Sequence, residues 1–246
     1  MEYTAKGLPK VINYCWFGRG EKSPLIKQCM ETWREKMPGW EIREWNEDNF
    51  DVNAIPYTAE AYAAKKYAFV SDYARFWVLY HHGGVCLCTD VELLRPVDDL
   101  LEETPYLMGF ELRDTVNPGS IISSLPGDEL LAELLDDYAK LRFVVDGKLN
   151  TKTIVAYTTE MLQRHGFTGG NRMQQVGNFV LYPSEYFCPF EHETQMVVKT
   201  ENTRSIHHFS ATWTPKWRKL RFRDIGLAAR VLGRERYLKL KRLIKK

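Results

Sequence analysis

The chain has 246 residues, 44% hydrophobic and 27% charged, with a formal net charge of +2. That balance at that length supports a full hydrophobic core and excludes disordered, collagen-like and disulfide-stapled classes. The cysteines number five, no charged-then-apolar leader opens the chain, and no run of about eighteen apolar residues occurs, so a cytoplasmic protein with reduced thiols is expected.

Lys10–Phe17 (KVINYCWF), rich in β-branched and aromatic residues, predicts a first strand. Ser23-Pro24 is an N-cap followed by proline at the first helical position. A helix should run from there to about Lys36, where Met37-Pro38-Gly39 stops it. Glu41–Trp45 alternates as a second strand, and residues 46–53 form an Asx-rich loop. From Thr58 to His82 the apolar spacing predicts one long, largely buried helix, ended by Gly83-Gly84. Val85–Cys88 follows as a buried strand with Thr89-Asp90-Val91-Glu92 at its carboxyl end. Tyr106–Phe110 predicts another strand, residues 128–141 and 151–166 predict helices, and Val180–Tyr182 and Ser205–Phe209 predict late short strands.

The last stretch differs in charge. Thirteen of the 34 Lys and Arg residues fall in residues 216–246 against only Asp224 and Glu235, which leaves residues 1–215 at −9. The division is therefore a 1–215 domain and a 216–246 basic tail, helical from about Asp224 with Gly233 interrupting it. Such a tail points to an anionic partner. A peripheral site on the inner face of the cytoplasmic membrane is the expectation, with a plainly solvated basic helix as the alternative. Nucleic acid is not expected as a partner, because the body is acidic and carries no nucleic-acid motif.

Strands alternating with helices predict an α/β domain, a mostly parallel central sheet flanked by helices. Open sheets of this kind bind ligands beyond the carboxyl ends of their strands, where Cys15–Gly18, Thr89–Glu92 and His207–Trp213 fall. Asp90, leaving a buried strand, is suited to holding a divalent cation that neutralises a diphosphate leaving group. Thr89 and Glu92 are auxiliary candidates, and a loop-capping role for Asp90 is the equal alternative. In His207-His208, strand alternation lets at most one imidazole face the site. Thr212 and Trp213 offer a hydroxyl and an indole N–H to phosphate oxygens.

Trp16, just past the first strand, offers a flat indole to a nucleotide base, or is a core residue. Asp72 and Arg75 stand three apart on one helical face and are expected to pair, Arg75 suiting a phosphate and Asp72 sugar hydroxyls. Cys86 and Cys88 invite a zinc reading. It lacks further ligands at short spacing apart from His81-His82, so buried free thiols are expected.

Six strings then carry a resemblance: PKVINYCWFG, WEIREWNEDNFD, AYAAKKYAFVSDYARFWVLYHHGGV, CTDVELLRPVDDLL, YPSEYFCP and ENTRSIHHFSATW. In content and order the chain resembles the bacterial branch of glycosyltransferase family 32, the DXD sugar-binding-motif proteins of capsular polysaccharide synthesis. The resemblance implies a GT-A (Rossmann-like) fold, a nucleotide-diphosphate sugar donor, a divalent cation (manganese, with magnesium second) and retention of anomeric configuration. It implies a lipid-linked or oligosaccharide acceptor in capsule- or LPS-type surface glycan synthesis. By motif, Trp16 would stack on the base, Asp72 and Arg75 would contact the donor sugar and phosphates, and Asp90 and His208 would bind the metal. Trp213 would touch the β-phosphate, with Cys88 and Thr89 also in the donor site. The departure is Cys88, where the motif's first acid stands in the family. A catalytically silent nucleotide-sugar-binding homologue is therefore the alternative function. Residues 117–124 also lack the family's usual glycine- and valine-rich donor-loop wording.

Overall fold

Val11–Cys15 forms β1, in which Ile12 and Tyr14 face one layer of core while Asn13 points to the other. Asn13 is fully buried and fully used. Its amide donates to the Gly83 and Val85 carbonyls at 3.1 and 3.3 Å, and its oxygen accepts the Trp45 indole N–H at 2.9 Å. The computed structural model describes residues 2–210 and 216–244.

Helix α1 (Pro24–Lys36) opens where expected, with the Ser23 hydroxyl accepting from the Ile26 N–H. It buries Ile26, Met30 and Trp33 along one stripe, each worth roughly 1.5–3 kcal/mol of transfer free energy. β2 (Glu41–Trp45) pairs parallel to β1. The long helix expected from Thr58 is instead two, α2 (Pro56–Ala63) and α3 (Tyr67–His82). Lys65 between them takes a left-handed φ of 56°, which an α-helix cannot accommodate.

Gly83 and Gly84 turn the chain from α3 into β3 (Gly84–Cys86) at φ of 67° and 97°. A Cβ on Gly84 would lie 2.6 Å from the Val11 carbonyl oxygen, so only glycine fits between β1 and this turn. After β3 come β4 (Val91–Leu93), α4 (Asp98–Glu103), β5 (Leu107–Leu112), β6 (Thr115–Val116), β7 (Ile122–Ser124) and α5 (Glu129–Ala139), the last capped by the Asp128 carboxylate. A β8–β9 hairpin (Val144–Val145, Lys148–Leu149) leads to α6 (Ile154–Arg164), whose N-cap is Thr153. Then follow β10 (Gln174–Val176), β11 (Phe179–Tyr182), the short α7 (Ser184–Phe187) and a β12–β13 hairpin (Phe190–Glu191, Met196–Val197). β14 (Ser205–His207) precedes α8 (Lys216–Leu232) and α9 (Arg234–Ile244).

The main sheet runs β10-β11-β5-β7-β3-β1-β2, with β6 paired to β5 at its side. Five strands, β1, β2, β3, β5 and β11, point one way, and β6, β7 and β10 oppose them. The mostly parallel α/β architecture expected from the sequence is present. One core layer packs α3, α5 and α6 on the sheet through Phe76, Tyr138 and Met161, and the other packs α1 and α7 through Trp33 and Phe187. β14 does not join this sheet. It pairs antiparallel with β4, with His207 opposite Val91 and Ile206 opposite Glu92.

The basic tail is helical eight residues earlier than Asp224, and Gly233, at φ 79°, breaks it between α8 and α9. It touches the body at the β12–β13 hairpin, where Arg234 pairs with Glu191 at 2.6 Å and the Lys241 ammonium donates to the Glu193 carbonyl.

Candidate active site

The site forms at the carboxyl end of β3, where the chain leaves the sheet through Leu87 and Cys88 into the Thr89-Asp90 turn. Asp90 is 7% exposed, and a charge so placed needs partners. Its Oδ1 lies 3.2 Å from the His207 Nε2, and its Oδ2 accepts from both the Ser210 backbone N–H and hydroxyl at 2.8 Å. Burial works against the Asp90 charge, yet His207 and Ser210 together hold the carboxyl well below the usual carboxylate range. Burial likewise disfavours the imidazolium of His207, but hydrogen bonding to Asp90 and Cys88 lifts it to about 10.

Cys88 completes the group. One ligand atom each from Cys88, Asp90 and His207 lies within 4.8 Å of the others. The thiol and carboxylate stand two residues apart, the imidazole comes from far along the chain, and the three converge as a divalent-cation ligand set would. Behind Cys88 stands Arg75, 4% exposed, donating to the sulfur at 3.1 Å and to the Pro118 carbonyl at 3.3 Å. Its Nε has no partner among the described residues. The Cys88 N–H is anchored on the Gly119 carbonyl at 3.0 Å.

The loop of residues 117–121 thus wraps the sulfur, and it brings in two residues that the sequence did not single out. Asn117 sets its amide 3.4 Å from the His207 Nδ1 and donates to Glu111 at 2.8 Å, while its oxygen accepts the Gly119 N–H at 2.7 Å. Glu111 ends a buried run of β5, and burial raises its pKa against the lowering pull of His207 and His192. Their one signal in the sequence is position, beyond the carboxyl end of a core strand.

The remaining candidates are placed as follows. His208 points away from the cluster, is exposed, and bonds Glu92 at 2.8 Å, so the imidazole that meets Asp90 is His207. Thr89 is half-buried in the turn between Cys88 and Asp90. Asp72 does not close an ion pair with Arg75, contrary to the expectation from their spacing. Arg75 is committed to Cys88 and Pro118, whereas Asp72 faces the N-terminus of α6 at the Ile154 N–H. Burial pushes Asp72 up to about 6 against the opposing effects of Arg75 and that N–H. Trp16 is half-buried at the end of β1, its indole N–H given to the Gly20 carbonyl at 2.7 Å and the Lys22 ammonium 5.3 Å from its ring. Thr212 and Trp213 lie outside the described residues. His81 and His82 pack at a tilt against Trp77 and Trp45 and take no part in the cluster. The five cysteines are all free thiols.

Beside His207 a cavity of about 350 Å³ opens between the β12–β13 hairpin, β14 and α8. Phe190, Met196, Val197 and Ile206 line it with His207, His208 and Arg230.

Residues 23–107 match the glycosyltransferase sugar-binding region containing the DXD motif. The matched region contains Asp90, and the chain around it folds as the mostly parallel α/β sheet that the sequence predicts. The chain is 25% identical over 113 residues to inositol phosphoceramide mannosyltransferase 1 of Schizosaccharomyces pombe, an alignment covering 41% of this chain and 34% of that protein. It thus spans about a third of that relative's length. Among solved structures it is similar to the PaToxG glycosyltransferase at 16% identity, with a TM-score of 0.47 over 64% of this chain and 69% of that one.

Proposed function

We propose that the protein transfers a sugar, with retention of configuration, from a nucleotide-diphosphate donor to a lipid-linked or oligosaccharide precursor of a surface polysaccharide. The observation that carries this reading is the convergence of Asp90, His207 and Cys88 in front of Arg75, at a strand end inside the stretch that matches the DXD region. The donor's diphosphate would lie against this group, with Trp16 toward the base and Asp72 toward the sugar.

A divalent cation bound there supplies positive charge to the leaving diphosphate. Asp90, His207 and Cys88 are the residues that would hold it. Manganese is the ion the resemblance implies, and the residue that stands against it is Cys88. Arg75 contributes a permanent charge fixed in a dry setting, where electrostatic stabilisation is strongest. The acceptor hydroxyl attacks the anomeric carbon from the face the diphosphate vacates, and a departing phosphate oxygen takes its proton. No separate protein base is needed.

The cavity beside His207 suits an acceptor that combines an apolar part with a phosphate. Phe190, Met196, Val197 and Ile206 give its lining an apolar part, and Gln195, His207, His208 and Arg230 give it a polar one that includes a cation. The mannosyltransferase relative, whose name specifies a phosphorylated lipid acceptor, favours the same class. The tail supports a membrane-surface location: Leu227, Val231 and Leu243 are exposed amid its lysines and arginines. No helix among the described residues is long and apolar enough to cross a membrane.

A thermal-shift panel of nucleotide-diphosphate sugars, each with and without added divalent cation, tests the reading. A cation-dependent shift for one donor class, followed by transfer to a phosphorylated lipid acceptor, is expected. Cation-dependent donor binding without any transfer or donor hydrolysis would favour a silent binding protein, the reading that the Cys88 departure motivates.

A further inference from the structure

We infer that Cys88, Asp90 and His207 select a thiophilic divalent cation, zinc rather than manganese, an inference that rests on the donor-site reading above. Zinc is bound by one sulfur, one nitrogen and one oxygen at about 2.3, 2.0–2.1 and 2.0–2.2 Å, and sites with three protein ligands keep a fourth position open. In a tetrahedron of such bonds, a nitrogen and an oxygen stand about 3.3 Å apart. Asp90 Oδ1 and His207 Nε2, hydrogen-bonded to each other, are 3.2 Å apart, close to that spacing, and the Cys88 sulfur lies within 4.8 Å of both.

A hard cation fits less well. Manganese and magnesium favour an oxygen-rich shell of about six ligands. Among the described residues at this point, Asp90 alone brings a carboxylate into the cluster. Glu92 is turned away onto His208, and Glu111 is held by Asn117. Where the family has its first acid, this chain has a soft sulfur. Arg75 donates to that sulfur, which complements the charge of a metal-bound thiolate. On the far side of the His207 ring the Asn117 amide nitrogen lies 3.4 Å from Nδ1, and Glu111 accepts from that same amide.

The full chain, stripped with chelator, is titrated with cobalt as a spectroscopic substitute for zinc. One equivalent is expected to give a near-ultraviolet sulfur-to-cobalt band that zinc displaces and about a hundredfold excess of manganese does not. Cys88→Ser should lose the band, and Cys88→Asp should lose it and lower the zinc-over-manganese preference by at least ~10-fold. If either variant fails to fold, zinc-edge X-ray absorption on the parent decides, with one sulfur expected at about 2.3 Å. A cobalt complex without the band, a band that survives Cys88→Ser, or a zinc shell of nitrogen and oxygen alone overturns the inference. Thiolate-bound metal without donor binding or turnover under any loading would sink the transferase reading and leave the metal assignment standing. Manganese-loaded turnover without the band would do the reverse.

Discussion

Asp90 Oδ1 and His207 Nε2 lie 3.2 Å apart although 117 positions separate them in the chain. The contact exists because β14 folds back onto β4 in a register that sets His207 opposite Val91, one residue from Asp90. A carboxylate held this way presents charge without having to reorganise, which is what a site handling a diphosphate requires. Asp90→Asn is therefore expected to lower sugar transfer by ~10²-fold or more with the fold retained. Initial rates of donor turnover check it, and activity within about twofold of the parent would remove Asp90 from the mechanism.

Asn117 and Glu111 act through His207. Asn117→Ala should leave the main sheet intact but free the ring, weakening cation affinity or kcat/KM by about 10- to 100-fold. Glu111→Gln keeps an acceptor for the Asn117 amide, so a smaller loss is expected. Cation titration followed by kinetics separates this role from plain stability, because denaturation midpoints should move far less than cation affinity does.

Asp72 gives a pH prediction with a definite sign. Burial raises its folded-state pKa to about 6, above the ordinary carboxyl value, so the folded state disfavours the charged form. Stability is then greater at low pH and declines as pH rises through the ordinary carboxyl range to about 6. Asp72→Asn removes that penalty and should be more stable than the parent at pH 8, on the order of 1–3 kcal/mol at most, with the gain vanishing in acid. Urea denaturation at several pH values measures it. Donor affinity should move oppositely, since the proposed sugar contact uses the charged carboxylate. A variant no more stable than the parent at pH 8 would mean that the α6 N-terminus repays the burial cost in full.

Gly84→Ala tests the turn between α3 and β3. The new Cβ would meet the Val11 carbonyl at 2.6 Å and the Asn13 amide at 3.1 Å, on a backbone with φ near 97°. A destabilisation of at least about 1–3 kcal/mol is expected from the backbone strain alone. Chemical denaturation gives the value, and a neutral result would mean that the Asn13 network is soft.

The tail makes its own prediction. Arg236 and Lys239 are exposed on α9. Replacing either with glutamine should weaken binding to anionic vesicles by about fivefold, the equivalent of ~1 kcal/mol per cation near a charged surface. Equal co-sedimentation of parent and variants at low salt would rule out this face as the attachment.

Much of the scaffold was readable because its signals are local. The Ser23-Pro24 start, the alternation of Glu41–Trp45 and the Gly83-Gly84 stop each act within one turn of chain, and α1, β2 and the end of α3 follow them. The break at Lys65 was not readable, since neither glycine nor proline marks it and the left-handed residue is a lysine. In the site, Asp90 and Arg75 stood out through residue type and an apolar setting. The choice between His207 and His208 did not, because it depends on the register between β14 and β4, fixed by packing across the molecule. Asn117 and Glu111 are single polar residues with no spacing pattern, and only the folded loop brings them to the imidazole. Asp72 and Arg75 share a helical face as their spacing predicts, but they take different direct partners, and Arg75 favours the Asp72 charge only from a distance.

The return of β14 onto β4 also divides the chain unevenly. Every strand of the main sheet lies before residue 183, yet the imidazole and the Ser210 donors that hold Asp90 come from residues 207–210. A chain cut short at residue 204 would keep all the main-sheet strands and leave the Asp90 carboxylate without these partners.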